Sequence, residues 1–448
     1  MHKGLEETLA FLLLNGGGKM KHLCTILYYF VLLWLIFAMP AKADQLTLQE
    51  QIDGTPAGSV LVLEDGVYTG QITITKPITL RGSKHTMLEG NGKESLMKIE
   101  NVQNVTLENI NIADAHVGIV VKNTSQVNLH NVQLQNVWSG VQIHNSKHVV
   151  VNNLKIKGIN GHYSKKGNGL DVFNSNDLTI SNNKVQDVQD GFYIEKAQAI
   201  KLTDNAIKNS RYGIHFMYTE DALAEQNDFN QNVTGIMLMM TEDAQLQNNH
   251  VTEQNGLNGS GMVLFEAKNI DVLYNHFQNN RTALSTQKLA TSTVEYNTFQ
   301  MNQTAIELLR SNKENTVYAN DFVGNIVNLR SDGTSSSISQ NYYDDYDGID
   351  FDDNGIGDSP YVALQSFGQW MVRKPSYQYF IESPSVVLLN KMDRQTNAIE
   401  TEQLVDKEPM MYSAQKATTE GNIQLWQVVT GLTGLVLGLW LWRKEASV

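Results

Sequence analysis

The sequence predicts an all-β protein built as a right-handed parallel β-helix of about ten rungs. Three observations predict this fold: a repeat of 22 residues over residues 100–340, short stretches with alternate apolar residues, and columns of asparagine and glycine. A single 22-residue coil cannot bury its own apolar face, whereas stacked coils bury it against each other. Each strand then pairs with its equivalent in the next rung, about 4.8 Å away.

The repeat becomes visible when equivalent positions are aligned, because the steps are 22 residues apart from one of 29 and one of 26. The aligned positions are Glu100, Lys122, His144, Phe173, Glu195, Met217, Met239, Phe265, Gln287 and Leu309. Alternate residues after each start are apolar, which is typical of half-buried strands. A leucine-rich horseshoe has a similar period, but its L-x-x-L-x-L signature is absent.

Two polar columns mark fixed points in the rung. Stacked asparagines can hydrogen-bond from rung to rung, as amide ladders do in cross-β structures. These asparagines are Asn183, Asn205, Asn227, Asn249, Asn275 and Asn297. Glycine opens another strand, where we expect a tight corner with positive φ. The glycines are Gly118, Gly140, Gly169, Gly191, Gly213, Gly235 and Gly261.

The N-terminus predicts export. Residues 20–43 have a charged start, an apolar run and an A-x-A motif, in the order found in secretory signal peptides. Residues 1–19 fit no targeting pattern, and we interpret them as an over-extended reading frame with Met20 as the true start. The mature protein would therefore begin at Asp44.

The C-terminus predicts a membrane anchor. Residues 423–442 contain no charged side chain and are long enough to cross a hydrocarbon core of about 30 Å. The short tail, residues 443–448, begins with Arg443 and Lys444, which the positive-inside rule places in the cytoplasm. A buried core helix is the alternative. The body would lie in the periplasm, held to the inner membrane.

The remaining boundaries follow from the repeat. We expect residues 44–99 to form an N-terminal cap and the first, irregular rungs, since an open solenoid end needs covering. Residues 341–380 would close the other end, and residues 381–422, which are polar and weakly patterned, would form a linker.

Composition excludes two classes of function. The net charge of −13 argues against nucleic-acid binding, which requires basic patches. The one cysteine, Cys24, lies in the predicted signal peptide, so the mature chain has no thiolate chemistry and no disulfide.

Four side chains are the principal candidate metal ligands. In the strands that begin at glycine, the second and fourth residues after it should point outward. Two adjacent rungs then place His215, Met217, Met237 and Met239 on one exposed patch. Thioethers with an imidazole select Cu(I) among biological metals. The alternative is that these methionines pack under a loop or form a partner surface.

Both insertions in the repeat fall just before the patch strand, at residues 161–167 and 256–260. Insertions on one face of a solenoid often mark its binding face. This coincidence favours the metal-binding interpretation.

Two weaker candidate sites remain. His250 and His276 share an outward column on successive rungs and could hold a metal, although paired surface histidines are usually just solvated. The segment 350–358 resembles the front of a calcium loop, with oxygen ligands at Asp350, Asp352, Asn354 and Asp358. Tyr361 replaces its final glutamate, so the segment is either a truncated structural calcium turn or a plain acidic turn.

The chain resembles the NosD family of nitrous-oxide-reductase maturation proteins over roughly residues 45–380. The most specific stretches are residues 211–218, the methionine-rich echo at 235–240, and the terminal segments 341–348 and 355–361. This resemblance implies a non-catalytic periplasmic protein of denitrification that delivers copper for assembly of the copper–sulfur cluster of nitrous oxide reductase. Its implied partners are the membrane subunit and ATPase of an ABC transporter, nitrous oxide reductase and a copper chaperone.

The alternative function is a polysaccharide lyase or hydrolase, or a passive carbohydrate-binding module, since such proteins also use parallel β-helices. An enzyme of that kind needs carboxylates clustered with a basic residue or a calcium ion in a groove. Asp187 and Asp190 fall in a predicted turn, and no pair of aspartates is expected to face an arginine.

Overall fold

The structure is a computed structural model that describes residues 46–332, 336–363, 374–380, 383–396 and 404–413, together with Tyr29. The over-extended start, the signal peptide apart from Tyr29, the apolar segment 423–442 and the tail all lie outside the described residues. Among the described residues, no helix is both long enough and apolar enough to cross a membrane.

Three long parallel sheets form the body of the protein, and each rung contributes one strand to each sheet. The first sheet comprises Val60–Val62, Ile78–Arg81, Gln103–Glu108, Ser125–His130, Lys147–Asn152, Asn176–Ser181, Gln198–Thr203, Glu220–Glu225, Glu242–Gln247, Lys268–Leu273, Thr293–Glu295, Thr316–Tyr318 and Ser337–Ser339. The second comprises Gly66–Thr69, Thr86–Glu89, Asn111–Ala113, Gln133–Val137, Lys155–Gly158, Lys184–Gln186, Ala206–Lys208, Asp228–Asn230, His250–Thr252, His276–Gln278, Thr298–Gln300, Asp321–Val323 and Tyr342–Tyr343. The third comprises Ile72–Ile74, Ser95–Glu100, Val117–Lys122, Ser139–His144, Leu170–Phe173, Asp190–Glu195, Tyr212–Met217, Thr234–Met239, Ser260–Phe265, Thr282–Gln287, Thr304–Leu309 and Val327–Ser331.

The described helices are short. The α-helices are Leu48–Gly54 and Pro384–Thr396, and the 3-10 helices are Tyr163–Lys165 and Pro375–Phe380. The predicted parallel β-helix is therefore confirmed.

The number of rungs was underestimated, since the described residues contain about thirteen and not ten. The additional rungs lie at both ends of the predicted repeat. At the N-terminal end Val60 pairs with Thr79 and Ile78 with Val105, which are steps of 19 and 27 residues. A fixed period of 22 misses such rungs, because stacking requires only an inward apolar residue at each strand and tolerates loops of varying length between strands.

The core is a set of apolar columns that run along the solenoid. Phe277, Phe299, Phe322 and Tyr343 stack on successive rungs with nearly parallel rings, at centroid separations of 4.9, 5.2 and 5.0 Å. All four side chains are fully buried. This column grows from the alternation seen in the sequence, because residues two apart in a strand face the same side.

The asparagine ladder is also confirmed, and it is longer than predicted. Each side-chain amide, from Asn183 through Asn297, donates to the carbonyl oxygen of the next asparagine at 2.9 or 3.0 Å. The ladder continues through Asn320 and Asn341. These buried amides satisfy one another and backbone carbonyls, so they hold the rungs in register without leaving unpaired polar groups.

The glycine column has a different cause from the one expected. At Gly213 a Cβ atom would lie 2.4 Å from the carbonyl oxygen of Gly235 and 2.4 Å from Cδ1 of Phe229. The column therefore permits close approach between rungs, and its φ angles are not positive. Positive φ occurs instead at corner residues such as Asn123 and Asn145, with values of 52° and 48°.

The C-terminal end departs from the predicted linker at 381–422. Val405–Asp406 forms an antiparallel pair with Tyr361–Val362, and the carboxylate of Asp406 accepts hydrogen bonds from the last amide of the ladder, Asn341. Pro384–Thr396 is helical. Residues near Asp406 therefore belong to the closure of the solenoid, which pattern alone missed because the strand is only two residues long.

Candidate functional site

The four predicted copper ligands lie together on two adjacent strands of the third sheet. His215 is the direct partner of Met237, and Met217 is the direct partner of Met239, in the parallel pairing of Tyr212–Met217 with Thr234–Met239. Neighbouring strands lie about 4.8 Å apart. The structure thus brings the imidazole and three thioethers to one small region of the sheet.

The region is less exposed than predicted. His215 has only 6% of its surface accessible, and the three methionines are half-buried. The rings of Tyr193 and Tyr212 pack edge-to-face against the imidazole, with centroid separations of 5.0 and 4.9 Å. Tyrosines one rung away and three residues away in the strand cover the histidine, so outward direction does not give solvent exposure here.

A buried ion pair holds His215 from one side. Its Nδ1 atom lies 3.2 Å from Oδ2 of Asp190, whose carboxylate also accepts two hydrogen bonds from Arg211, at 2.8 Å from Nε and 2.6 Å from Nη2. Burial alone would raise the pKa of Asp190, but the hydrogen bonds from Arg211 and His215 outweigh it and lower that pKa. Asp190 is therefore a carboxylate. The same hydrogen bonds raise the pKa of Arg211.

The expectation that Asp190 falls in a turn and that no aspartate pair faces an arginine needs correction. Asp190 opens the strand Asp190–Glu195, its side chain is 1% exposed, and it binds Arg211 bidentately. The partners lie 21 and 25 residues beyond Asp190, which is close to one rung. The period of 22 was the signal that could have found them, had the residues that flank the aligned strands been compared across rungs.

The other ring nitrogen of His215, Nε2, is buried and has no hydrogen-bond partner. A buried polar atom without a partner costs on the order of 1–3 kcal/mol, so such atoms are rare in folded proteins. An unpaired imidazole nitrogen beside thioethers fits a soft metal such as Cu(I).

Tyr193 links this region to the preceding rung. Its hydroxyl donates to Oε2 of Glu195 at 2.7 Å and lies 3.7 Å from the sulfur of Met217. Burial and the adjacent Glu195 carboxylate raise the pKa of Tyr193, so the phenol stays protonated. Asp171 pairs with Tyr193 across the rung, and burial raises its pKa.

Both insertions directly precede strands of the third sheet, as expected. The first contains the 3-10 helix Tyr163–Lys165 and is fastened by Lys166, whose Nζ donates to the backbone oxygen of Asp187 at 2.8 Å. Tyr163 lies close enough to Arg211 to raise the pKa of that guanidinium. The first insertion therefore stands beside the Asp190–Arg211 pair.

The weaker histidine pair is brought together as predicted. His250 and His276 are direct partners on adjacent strands, with ring centroids 5.8 Å apart. Burial, and to a smaller extent the neighbouring His250, lower the pKa of His276, although a hydrogen bond with Gln278 opposes this. A metal-binding role for this pair stays a prediction.

The acidic segment also gathers its carboxylates. Oxygen atoms of Asp350, Asp352 and Asp358 lie within 4.8 Å of one another. Asp350 accepts hydrogen bonds from the backbone of Asn354 and Gly355 at 3.2 and 2.8 Å. The fourth predicted oxygen, on Asn354, instead accepts from the Ile356 backbone. The loop closes on its own hydrogen bonds, and a calcium role stays a prediction.

Fold and site together define a parallel β-helix protein with an imidazole–thioether cluster on one sheet. Residues 78–185 match the family model described as "Right handed beta helix region", in agreement with the predicted hand. The A-module of the mannuronan C-5 epimerase AlgE6 of Azotobacter vinelandii is a similar solved structure. It has a TM-score of 0.52 and 14% identity, over 65% of this chain and 93% of that one. Such a likeness shows the fold alone.

Residues 153–350 match the family model described as "Periplasmic copper-binding protein (NosD)". Two similar relatives carry the name "Probable ABC transporter binding protein NosD". The one from Pseudomonas aeruginosa is 29% identical over 24% of this chain and 26% of its own length. The one from Stutzerimonas stutzeri is 26% identical over 27% and 29%. The chain belongs to the NosD family, which is described as a family of binding proteins and not of enzymes. It aligns with less than a third of the length of either relative.

Proposed function

We propose that this protein binds Cu(I) in the periplasm and delivers it for assembly of the metal cluster of nitrous oxide reductase, in association with an ABC transporter. Copper is the cargo. His215, Met217, Met237 and Met239 are its ligands, and the chain itself catalyses no reaction.

One observation carries this proposal. The rung register sets His215 beside Met237, and the imidazole presents a buried Nε2 atom that lacks any hydrogen-bond partner. A neutral imidazole with thioethers is a soft donor set, which favours Cu(I) over the harder divalent ions. Methionine side chains are flexible enough to close around an ion from neighbouring strands.

The family description supports copper as the ligand, and the names of the two relatives support an ABC transporter as a partner. Nitrous oxide reductase as the client, a copper chaperone as the donor, and the membrane anchor at residues 423–442 come from the sequence. ATP coupling would reside in another subunit, since the sequence contains no G-x-x-x-x-G-K-[ST] motif.

The carbohydrate-enzyme alternative is disfavoured by the state of Asp190. This carboxylate has a 1% exposed side chain and is neutralised by Arg211. It therefore has neither the access nor the free oxygen atoms that an acid or base acting on a polymer requires.

The test is a Cu(I) titration of the purified protein against a competing chromophoric ligand. The variant Met237→Leu/Met239→Leu removes two sulfurs with little change in side-chain volume. Met301→Leu is the matched control, because Met301 is 55% exposed and lies in the turn after the second-sheet strand Thr298–Gln300, away from the cluster.

We expect one tight Cu(I) equivalent in the wild-type protein and in Met301→Leu, with a loss of at least about tenfold in affinity in the double variant. Equal affinity in all three proteins would place copper elsewhere. An absence of binding in all three would refute the proposed function and make docking of a client protein the role of the cluster.

A further inference from the structure

We infer that Asp190 and Arg211 are positioning residues that hold His215 in one tautomer, with the proton on Nδ1 and the free lone pair on Nε2 as the metal-binding atom. This inference deepens the proposed function and, as far as copper is concerned, rests on it.

The first step concerns the atom that faces Asp190. An ionised carboxylate only accepts hydrogen bonds, and Arg211 keeps this one ionised through two hydrogen bonds of 2.8 and 2.6 Å. Nδ1 of His215 lies 3.2 Å from Oδ2 of that carboxylate. An unprotonated Nδ1 would place two lone pairs against each other at this distance, so Nδ1 carries the proton.

The second step concerns the opposite nitrogen. Nε2 is buried and has no acceptor within hydrogen-bond distance. A protonated Nε2 would be a buried donor without a partner, and it would also add a positive charge beside Arg211. The neutral tautomer with the proton on Nδ1 avoids both penalties and leaves a lone pair on Nε2.

The third step concerns what this arrangement does for a ligand. Metal-binding histidines commonly donate their second ring N–H to a carboxylate, which fixes the ring and its tautomer. Here Asp190 comes from the preceding rung and Arg211 immediately precedes the strand that carries His215. Two rungs and one insertion therefore preorganise Nε2, so the imidazole need not rotate or change tautomer when a metal arrives.

The chain supplies a matched control for Asp190. Asp187 lies three residues earlier on the same rung, is half-buried, and has a side chain whose described hydrogen bond is with the adjacent Gln186 at 3.2 Å. Asp187→Asn and Asp190→Asn remove the same charge with the same change of atoms. Only the second gives Nδ1 of His215 a neighbour that can either donate or accept.

The experiment has two readings on the full chain labelled with ¹⁵N-histidine, with His215→Gln used to assign the signals. Long-range ¹H–¹⁵N correlation spectra of the metal-free protein report which ring nitrogen is protonated. Competitive Cu(I) titration reports affinity. Circular dichroism melting checks that each variant is folded, and Arg211→Lys serves as a second variant because Arg211 is partly exposed at 31%.

We expect Nδ1 of His215 to be protonated and Nε2 unprotonated in the wild-type protein and in Asp187→Asn. In Asp190→Asn we expect a mixed or reversed tautomer and a roughly 10–100-fold loss of Cu(I) affinity. Arg211→Lys should keep the tautomer, because the carboxylate remains ionised, with a smaller loss of affinity.

A wild-type His215 protonated on Nε2 would overturn the inference whether or not copper binds. An unchanged tautomer and affinity in Asp190→Asn would overturn it as well. The expected tautomers without any Cu(I) binding would confirm the role of Asp190 and Arg211 in orienting the ring and refute the proposed function alone.

Discussion

The side-chain amide of Asn341 donates a hydrogen bond of 3.0 Å to the buried carboxylate of Asp406, which lies 65 residues further along the chain. Asn341 is the last rung of the amide ladder, and it needs an acceptor that no further asparagine supplies. The two-residue strand that contains Asp406 thus ends the ladder and shields its final amide from water.

Replacing Asp406 by alanine should destabilise the protein by about 2–4 kcal/mol, because several buried donors lose their acceptor together. These donors are the backbone N–H groups of Gln340, Asn341 and Glu408, the Asn341 amide and the Tyr343 hydroxyl. Chemical denaturation of the purified protein measures the effect. The exposed neighbour Lys407 is the control, and Lys407→Ala should change stability by less than about 0.5 kcal/mol.

Asn227 provides a test of the ladder in its interior. Its amide donates to Leu202 and Asn249, and its carbonyl oxygen accepts from the backbone and side chain of Asn205. Asn227→Ala leaves these groups unpaired in a buried position and should cost about 2–4 kcal/mol. The exposed Asp228, next in sequence, is the control. Equal melting temperatures for Asn227→Ala and Asp228→Ala would show that the ladder does not stabilise the fold.

Gly213→Ala should damage both stability and the candidate site. The added methyl group would overlap the Gly235 backbone and the Phe229 ring at 2.4 Å, and a backbone oxygen cannot move aside without shifting the next rung. We expect a loss of at least about 2 kcal/mol and weaker Cu(I) binding, since Gly213 lies two residues before His215. Gly256→Ala is the control, because no atom lies within 4 Å of its added Cβ. Normal binding by a stable Gly213→Ala protein would contradict the close-packing argument.

His276 should make the protein less stable in mild acid. Its folded-state pKa is lowered below the ordinary 6.5, so the unfolded chain takes up a proton more readily than the folded one. Its favourable contribution is therefore present above about pH 6.5 and is lost as the pH falls through the folded-state value. His276→Gln should lose less stability than the wild-type protein between about pH 7.5 and 5.5.

Thermal melts across that pH range measure the difference. His130→Gln, at an exposed position, is the control and should follow the wild-type protein. A His276→Gln variant with the full wild-type pH dependence would show that burial of this imidazole does not disfavour its protonation.

Much of the fold followed from local pattern. The period of 22 and the alternation of apolar residues predicted the strands, the amide ladder and the pairing of His215 with Met237. Register is strongly specified in such a solenoid, since a slip of one residue would turn every apolar side chain to the outside. The pattern failed at the irregular N-terminal rungs and at Asp406, where spacing varies and the strands are only two or three residues long.

The candidate site was predicted in its ligands and missed in its supports. Asp190 read as a turn residue, and the corner glycines read as sites of positive φ. Both errors concern contacts between rungs, which local conformational preference does not reveal. The second insertion, near residue 256, was placed correctly because an insertion changes the length of one rung and is therefore visible in the period.

The sequence by itself determined the architecture, because a repeated pattern of apolar, asparagine and glycine positions is satisfied by stacking equivalent strands in register. It thereby also determined which histidine and methionines meet. Only the tertiary structure decided that His215 is covered by Tyr193 and Tyr212, and that Asp190 and Arg211 hold its Nδ1. Those contacts depend on side-chain direction at the corners and on the separation of neighbouring rungs, and these are set by packing across the sheet and not by any one segment of the chain.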